Sequence, residues 1–438
     1  MNIVYLHAHD MGRINSAYGF AMPTPNIRRF AEEGVLFRQA FCAAPTCSPS
    51  RAALLTGRSA HQTGVLGLIH RGFRLSNPEH HMARYFSEQG YETFLSGVQH
   101  EVPFDEKGRL YDEVFAPAAD CVSGERERDI VQAGGVVEFL RRPHQKPFFV
   151  SFGTHFPHRR FADGAARGFS PANAAPLFNL PDCPEVRRDV ADYQASVSIA
   201  DEAFGLILDA IRETGLRDRT LIFLTTDHGV AFPGAKCTLK DAGIGVTLAF
   251  QIPGLPTGGV QDGLVSHLDV FPTLCDFAGL KLPDWLEGYS LRPILEESSA
   301  QVREEVFAEV NFHASYEPMR CVRTERYKLI RFFDQDVRPR LANVDEGPTK
   351  DFLMKNELLA DHAETALYDL WNDPQEQINL ASLPAFHPLL QKLTLKLQLW
   401  MEKTADPLLQ GRIPVPPGAR INRVDCENAK TPEYVSET

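Results

Sequence analysis

The chain has 438 residues, 43% of them apolar and 23% charged, with a formal net charge of −12 at pH 7. Such a length buries a large core and allows one large domain plus a smaller one, with the composition of a soluble globular protein. The acidic balance argues against a nucleic-acid partner or a broad polyanion groove, which need basic surfaces, and no apolar run approaches the roughly 18 residues of a membrane span.

Met1-Asn2 leads directly into Ile3-Val4-Tyr5-Leu6, a run typical of a buried strand. No basic n-region or cleavage site precedes it, so no signal peptide is recognised and a cytoplasmic location is expected. Thr24-Pro25-Asn26-Ile27 has the pattern of a helix start, with threonine at the N-cap and proline in the first turn, and Gly34 closes that helix. Ser50–Thr56 is predicted as a second helix, ended by Gly57. Phe94-Leu95 before Gly97 marks a strand running into a loop, and Phe148–Phe152 is apolar enough for a strand buried on both faces. Ile199–Gly215 has helical spacing, followed by strands at Leu221–Leu224 and Val246–Ile252. Strands alternating with helices predict a parallel α/β sheet.

Past residue 312 the texture changes. Arg320–Ile330 and Ala366–Leu370 suggest short half-exposed strands, Leu389–Lys403 an amphipathic helix, and the charged stretch Asp334–Asn356 a loop. A catalytic α/β domain over 1–312 and a smaller α+β domain with an antiparallel sheet over 313–438 are expected. The eight cysteines (42, 47, 121, 183, 237, 275, 321, 426) contain no CxxC pair, which fits neither a disulfide framework nor a zinc ribbon.

The outstanding polar residues follow predicted strands, where ligands collect in open α/β sheets. His7-Ala8-His9-Asp10 follows the first strand and Thr225-Thr226-Asp227-His228-Gly229 a later one. Two carboxylates and one or two imidazoles from such positions can converge on one divalent cation.

Pro45-Thr46-Cys47-Ser48-Pro49-Ser50-Arg51-Ala52-Ala53-Leu54-Leu55-Thr56-Gly57 resembles the sulfatase signature, Cys-x-Pro-Ser-Arg with a downstream Leu-Leu-Thr-Gly. The resemblance implies an alkaline-phosphatase-like α/β fold with a central, mostly parallel sheet flanked by helices. It also implies that a maturase converts Cys47 to formylglycine, whose hydrate has one hydroxyl to attack sulfur and one to expel sulfate. Asp10, Asp227 and His228 match the metal ligands that act with position 47. His9 replaces the first aspartate of the usual pair, and it is either a nitrogen ligand or a hydrogen-bonding neighbour of the ligands. By family the ion is Ca²⁺, but hard Ca²⁺ prefers oxygen, whereas Mn²⁺ or Zn²⁺ would accept imidazole.

Gly90–His100 resembles the second signature, usually ending Gly-Lys-x-His. His100 matches its histidine, a base at the formylglycine, while Val98 occupies the place of the lysine. His155-Phe156-Pro157-His158-Arg159 resembles the His-x-Pro-His segment, which places His158 at the leaving-group oxygen. Lys236 in Gly234-Ala235-Lys236-Cys237-Thr238 matches the lysine that binds a sulfate oxygen, and Arg51 the arginine that stabilises position 47 and the metal ligands. His155, His313 and Arg320 are candidates on the substrate side. His61–Leu68 and Tyr316–Thr324 are closest to the N-sulfoglucosamine sulfohydrolase branch.

The expected activity is hydrolysis of a sulfate monoester on a small sulfated substrate, without nucleic-acid or membrane partners, and with an oligomer left open. Sulfamate hydrolysis, phosphonate or phosphate monoester hydrolysis, and a catalytically silent anion-binding protein are the alternatives.

Overall fold

The computed structural model describes residues 1–117, 125–255, 257–296, 301–431 and 434. Cys121 lies outside them. In spatial order, the central sheet contains Glu113–Val114, Glu92–Gly97, Phe148–Gly153, Asn2–Ala8, Thr220–Thr226, Leu248–Gln251, Val35–Phe37 and Gly259–Gln261. The first five run parallel. Leu248–Gln251 is antiparallel to both neighbours, and Gly259–Gln261 is parallel to Val35–Phe37. The sheet is mixed but mostly parallel.

Side-chain alternation sorts the strands into two apolar layers. Ile3, Tyr5, Leu221 and Phe223 enter one, whereas Val4, Leu6, Ile222 and Leu224 enter the other. Covering both faces accounts for the nearly continuous apolar runs. Val190, Val197, Phe204, Ile207 and Ile211 of helix Pro184–Glu213 pack into the second layer. This helix starts well before the expected Ile199, because buried Asp189 and Ser196 interrupt the apolar spacing of its first half. Cys42, Cys275 and Cys321 are packing residues of the main core.

Helix Cys47–Thr56 begins at Cys47 rather than Ser50 and is buried along its whole length. Gly57 ends it in the left-handed conformation (φ 66°), which glycine adopts without penalty. Thr24 does not cap the helix Pro25–Glu32; its hydroxyl instead accepts the Ser16 N–H at 2.9 Å.

The smaller sheet is antiparallel, in the order Glu305–Phe312, Tyr316–Thr324, Tyr327–Phe332, Thr365–Asp369. Its first strand precedes residue 313, so the expected boundary falls inside its first hairpin. The single strand expected over Arg320–Ile330 is the second hairpin. Val306, Ala308, Val310, Cys321 and Ile330 on one face join the main core. Val322, Leu329 and Leu367 on the other pack against Leu393, Leu397 and Met401 of helix His387–Lys403. The stretch expected to be a loop contains helix Pro348–Lys355, whose buried Lys350 donates to the carbonyls of Leu341, Val344 and Glu427. A lysine buried by carbonyl contacts leaves no apolar pattern in the sequence.

Candidate active site

Four neighbouring parallel strands end at one level. Register pairs Gly97 with Gly153, Gly153 with His7, and His7 with Thr225. The chain leaving these ends carries His100, then His155 and His158, then His9 and Asp10, then Asp227 and His228. A Cβ at Gly153 would lie 2.3 Å from His7 Cε1 and 2.4 Å from the Val98 carbonyl oxygen. Glycine is needed there for the strand ends to close in.

Cys47 enters this cluster as the first residue of its helix, with Sγ 3.5 Å from His228 Nε2. The helix is tied to the strand end by the Ser50 hydroxyl, which donates to the Asp227 carbonyl. Ligating atoms of His9, Asp10, Cys47 and Asp227 lie within 4.8 Å of one another, as do those of His9, Cys47 and His100. His228 Nε2 is 3.4 Å from Asp10 Oδ1. Asp10 Oδ1 is fully buried and has no hydrogen-bond partner among the described residues. A buried carboxylate oxygen without a partner is costly unless an ion takes it up. This donor set of carboxylates and imidazoles fits one divalent cation. Asp10 itself has a left-handed backbone (φ 42°), unusual for a residue with a side chain.

Asp227 is fixed on both oxygens. Oδ1 accepts the Asp10 and His228 N–H groups at 2.9 Å each, while Oδ2 accepts Arg51 at 3.0 Å and lies 3.0 Å from His9 Nδ1. Burial resists its ionisation, but His228, Arg51 and His9 together hold the carboxyl well below the usual range. Burial likewise opposes a Cys47 thiolate, and Lys236 and the imidazoles of His100 and His228 outweigh it. Arg51 lies behind this carboxylate, with its other terminal nitrogen on His7 Nδ1.

Lys236, also buried, reaches Asp10 Oδ2 and Asp345 Oδ2 at 3.0 Å each. The His100 ring centre is 4.8 Å from that of His9, and burial pushes its pKa down to about 4. The His158 ring is 5.2 Å from His9. Its Nδ1 donates to the Arg159 carbonyl, which leaves Nε2 as the acceptor nitrogen. His155 is 5.7 Å from His158, ring to ring, and burial lowers its pKa to about 3. His313 is buried, and its Nδ1 has no partner among the described residues. Its imidazole is pushed down to about 4, first by burial and then by Lys236.

Arg320 is not a substrate-side residue. It is fully buried, with Asp406 on two of its nitrogens, Asn311 at 2.9 Å and the Val310 and Met319 carbonyls at 3.0 and 2.9 Å. Its guanidinium is consumed inside the smaller unit. Nor does Gln99 replace the cation missing at Val98. Its amide folds back on its own loop, donating to the Val102 carbonyl and accepting the Glu101 and Val102 N–H groups.

Two contributors carry little sequence signal. His7, inside the strand, holds Arg51; its place two residues before His9 on an alternating strand was the available clue. Asp345 comes from the expected loop and meets Lys236 from the smaller unit, with no motif around it.

Comparison with known proteins gives a sulfatase family match over residues 1–280 and an N-sulphoglucosamine sulphohydrolase C-terminal match over 235–356. N-sulphoglucosamine sulphohydrolase of Homo sapiens is 29% identical, covering 93% of this chain and 91% of that protein. An ulvan-active sulfatase of Formosa agariphila is 28% identical, covering 95% and 82%. Among solved structures, a 2-O GAG sulfatase aligns with a TM-score of 0.73 at 23% identity over 93% of each chain. A phosphonate monoester hydrolase of Agrobacterium radiobacter aligns at 0.70 and 21% identity over 96% of this chain and 99% of that one. These two likenesses concern the fold, which is alkaline-phosphatase-like as expected.

Proposed function

The chain belongs to the sulfatase family, and we propose that it hydrolyses the sulfate group of a small sulfated sugar at the strand-end site around Cys47. The observation that carries this reading is the meeting of the Cys47-Ser48-Pro49-Ser50-Arg51 helix start with Asp10, Asp227 and His228. A formylglycine made from Cys47 by a maturase would supply the nucleophilic oxygen, and a divalent cation would supply Lewis-acid stabilisation of developing charge. Asp10, Asp227 and His228 would hold that cation, with His9 as a further ligand or as the hydrogen-bonding support of Asp227, and with Ca²⁺ favoured by family and Mn²⁺ or Zn²⁺ by the imidazoles.

The chain's own groups then divide the work. Arg51 and His7 hold Asp227 in place. His100 accepts a proton at position 47. His158 Nε2, carrying a proton taken from solvent, delivers it to the departing atom of the substrate, a natural task for imidazole near neutral pH. Lys236 holds a sulfate oxygen, and the N-terminus of helix Cys47–Thr56 favours the same anion.

A second reading, hydrolysis of an N-sulfate, is favoured by the match over 235–356, which includes Lys236. Purified protein with Cys47 converted and a divalent cation supplied should release sulfate from 4-nitrophenyl sulfate or glucosamine 2-N-sulfate faster than it cleaves a phenylphosphonate ester. Failure to release sulfate from either substrate would overturn the proposal.

A further inference from the structure

Lys236 serves an anion, yet it is held between two carboxylates. Asp10 belongs to the cation cluster; Asp345 does not. Resting on the sulfohydrolase reading above, we propose that Asp345 is a specificity-determining residue that receives the nitrogen released from an N-sulfated amino sugar, so that the enzyme favours sulfamates over sulfate esters.

Asp345 Oδ2 lies 3.0 Å from Lys236 Nζ, is shielded from solvent, and takes no further partner among the described residues. Lys236 links it to Asp10 of the cation cluster, and its carboxylate also feels the charges of His158 and His313. The supporting segment is well fixed. Asn343 accepts the Ser315 N–H at 2.8 Å and donates to Glu317 at 2.8 Å, and Lys350 pins the carbonyls of Leu341 and Val344.

A second carboxylate near a bound sulfate repels it; pairing with Lys236 offsets part of that cost, and a substrate that develops positive charge offsets more. Hydrolysis of a sulfamate does so. The S–N bond breaks with its electron pair left on nitrogen, water provides the oxygen that joins sulfur, and both water protons end on nitrogen. Sulfamate and water thus give an ammonium ion and sulfate. A sulfate ester gives a neutral alcohol instead. An ammonium beside Asp345 gains a charge-assisted hydrogen bond, which the alcohol does not match.

The test compares kcat/KM for glucosamine 2-N-sulfate and 4-nitrophenyl sulfate in converted, metal-loaded protein. Asp345→Asn should lower the ratio of the first to the second by roughly 10- to 100-fold, the size of one lost charge-assisted contact. Asp345→Glu should recover part of it. An equal loss on both substrates would mean that Asp345 only holds Lys236, and would overturn the proposal; so would an unchanged ratio. Wild-type protein that cleaves the aryl sulfate but not the sulfamate overturns this inference and leaves the sulfohydrolase reading intact. Activity on neither overturns both. Should Asp345→Asn not fold, product inhibition of wild type decides: glucosamine should inhibit more strongly than glucose, and equal inhibition contradicts the assignment.

Discussion

Replacing Lys236 by methionine keeps most of the side chain's bulk and removes its charge, which makes Lys236→Met the sharpest probe of how the site holds an anion. The ammonium sits 3.0 Å from Asp10 and 3.0 Å from Asp345, in a buried position. With valine at position 98 and Gln99 turned back on its loop, no lysine from that segment shares the load. Arg51 is committed to Asp227 and His7. One charge-assisted contact to an anion contributes about 1.5–3 kcal/mol, and the upper part of that range applies where cations are few. A loss of about 2.7 kcal/mol corresponds to two orders of magnitude in kcat/KM. Steady-state kinetics of sulfate release, with circular dichroism to check folding, measure it. Val98→Lys in the same background should partly restore the rate if the lysine fits the pocket. Near-normal kinetics for Lys236→Met would show that other groups hold the sulfate, and the argument from scarce cations would fail.

Asp227→Ala should abolish retention of the cation in elemental analysis, whereas His9→Ala should weaken it by only roughly 10- to 100-fold if the imidazole supports the ligands rather than joining them. Full metal occupancy in Asp227→Ala would reject the assignment. Arg320→Met leaves Asp406 and Glu309 buried without their guanidinium, so unfolding by urea should show a loss of about 3–5 kcal/mol, while the folded protein keeps its KM. A raised KM would return Arg320 to the substrate side. Burial opposes the charge on Glu309, but His61 and Arg320 outweigh it and hold its carboxyl down to about 2. Its contribution is therefore complete above the unfolded value of about 4.3 and lost as pH falls towards 2. Burial likewise opposes charge on His61, and Glu309 raises its pKa above the ordinary value, so that its share is complete below about 6.5 and lost at higher pH. Denaturation midpoints of wild type and Glu309→Gln should differ most between these limits; a difference independent of pH would contradict the pairing.

The site was legible because its residues are local in sequence: each motif follows one strand, and parallel register brings the strand ends to one level. Asp345 was not, because its meaning depends on Lys236, which reaches it only after the smaller sheet packs on the core. Arg320 misled for the same reason. An arginine in a half-polar strand looks available, and the Asp406 that consumes it lies far along the chain. The alternating strands and helices gave the fold class, since covering both sheet faces writes continuous apolar runs. Element ends were less legible wherever buried polar groups took the place of apolar ones: Asp189 and Ser196 early in helix Pro184–Glu213, and Lys350 in helix Pro348–Lys355.

The central claim is that position 47, at the start of a buried helix and against His228, is the modified nucleophile. Peptide mass spectrometry of protein co-expressed with a formylglycine-generating maturase tests it most directly, read beside the activity of the same sample. The account predicts that the sulfur of Cys47 is replaced by oxygen and that sulfate release scales with the converted fraction. Fully active protein in which Cys47 remains a thiol would contradict it.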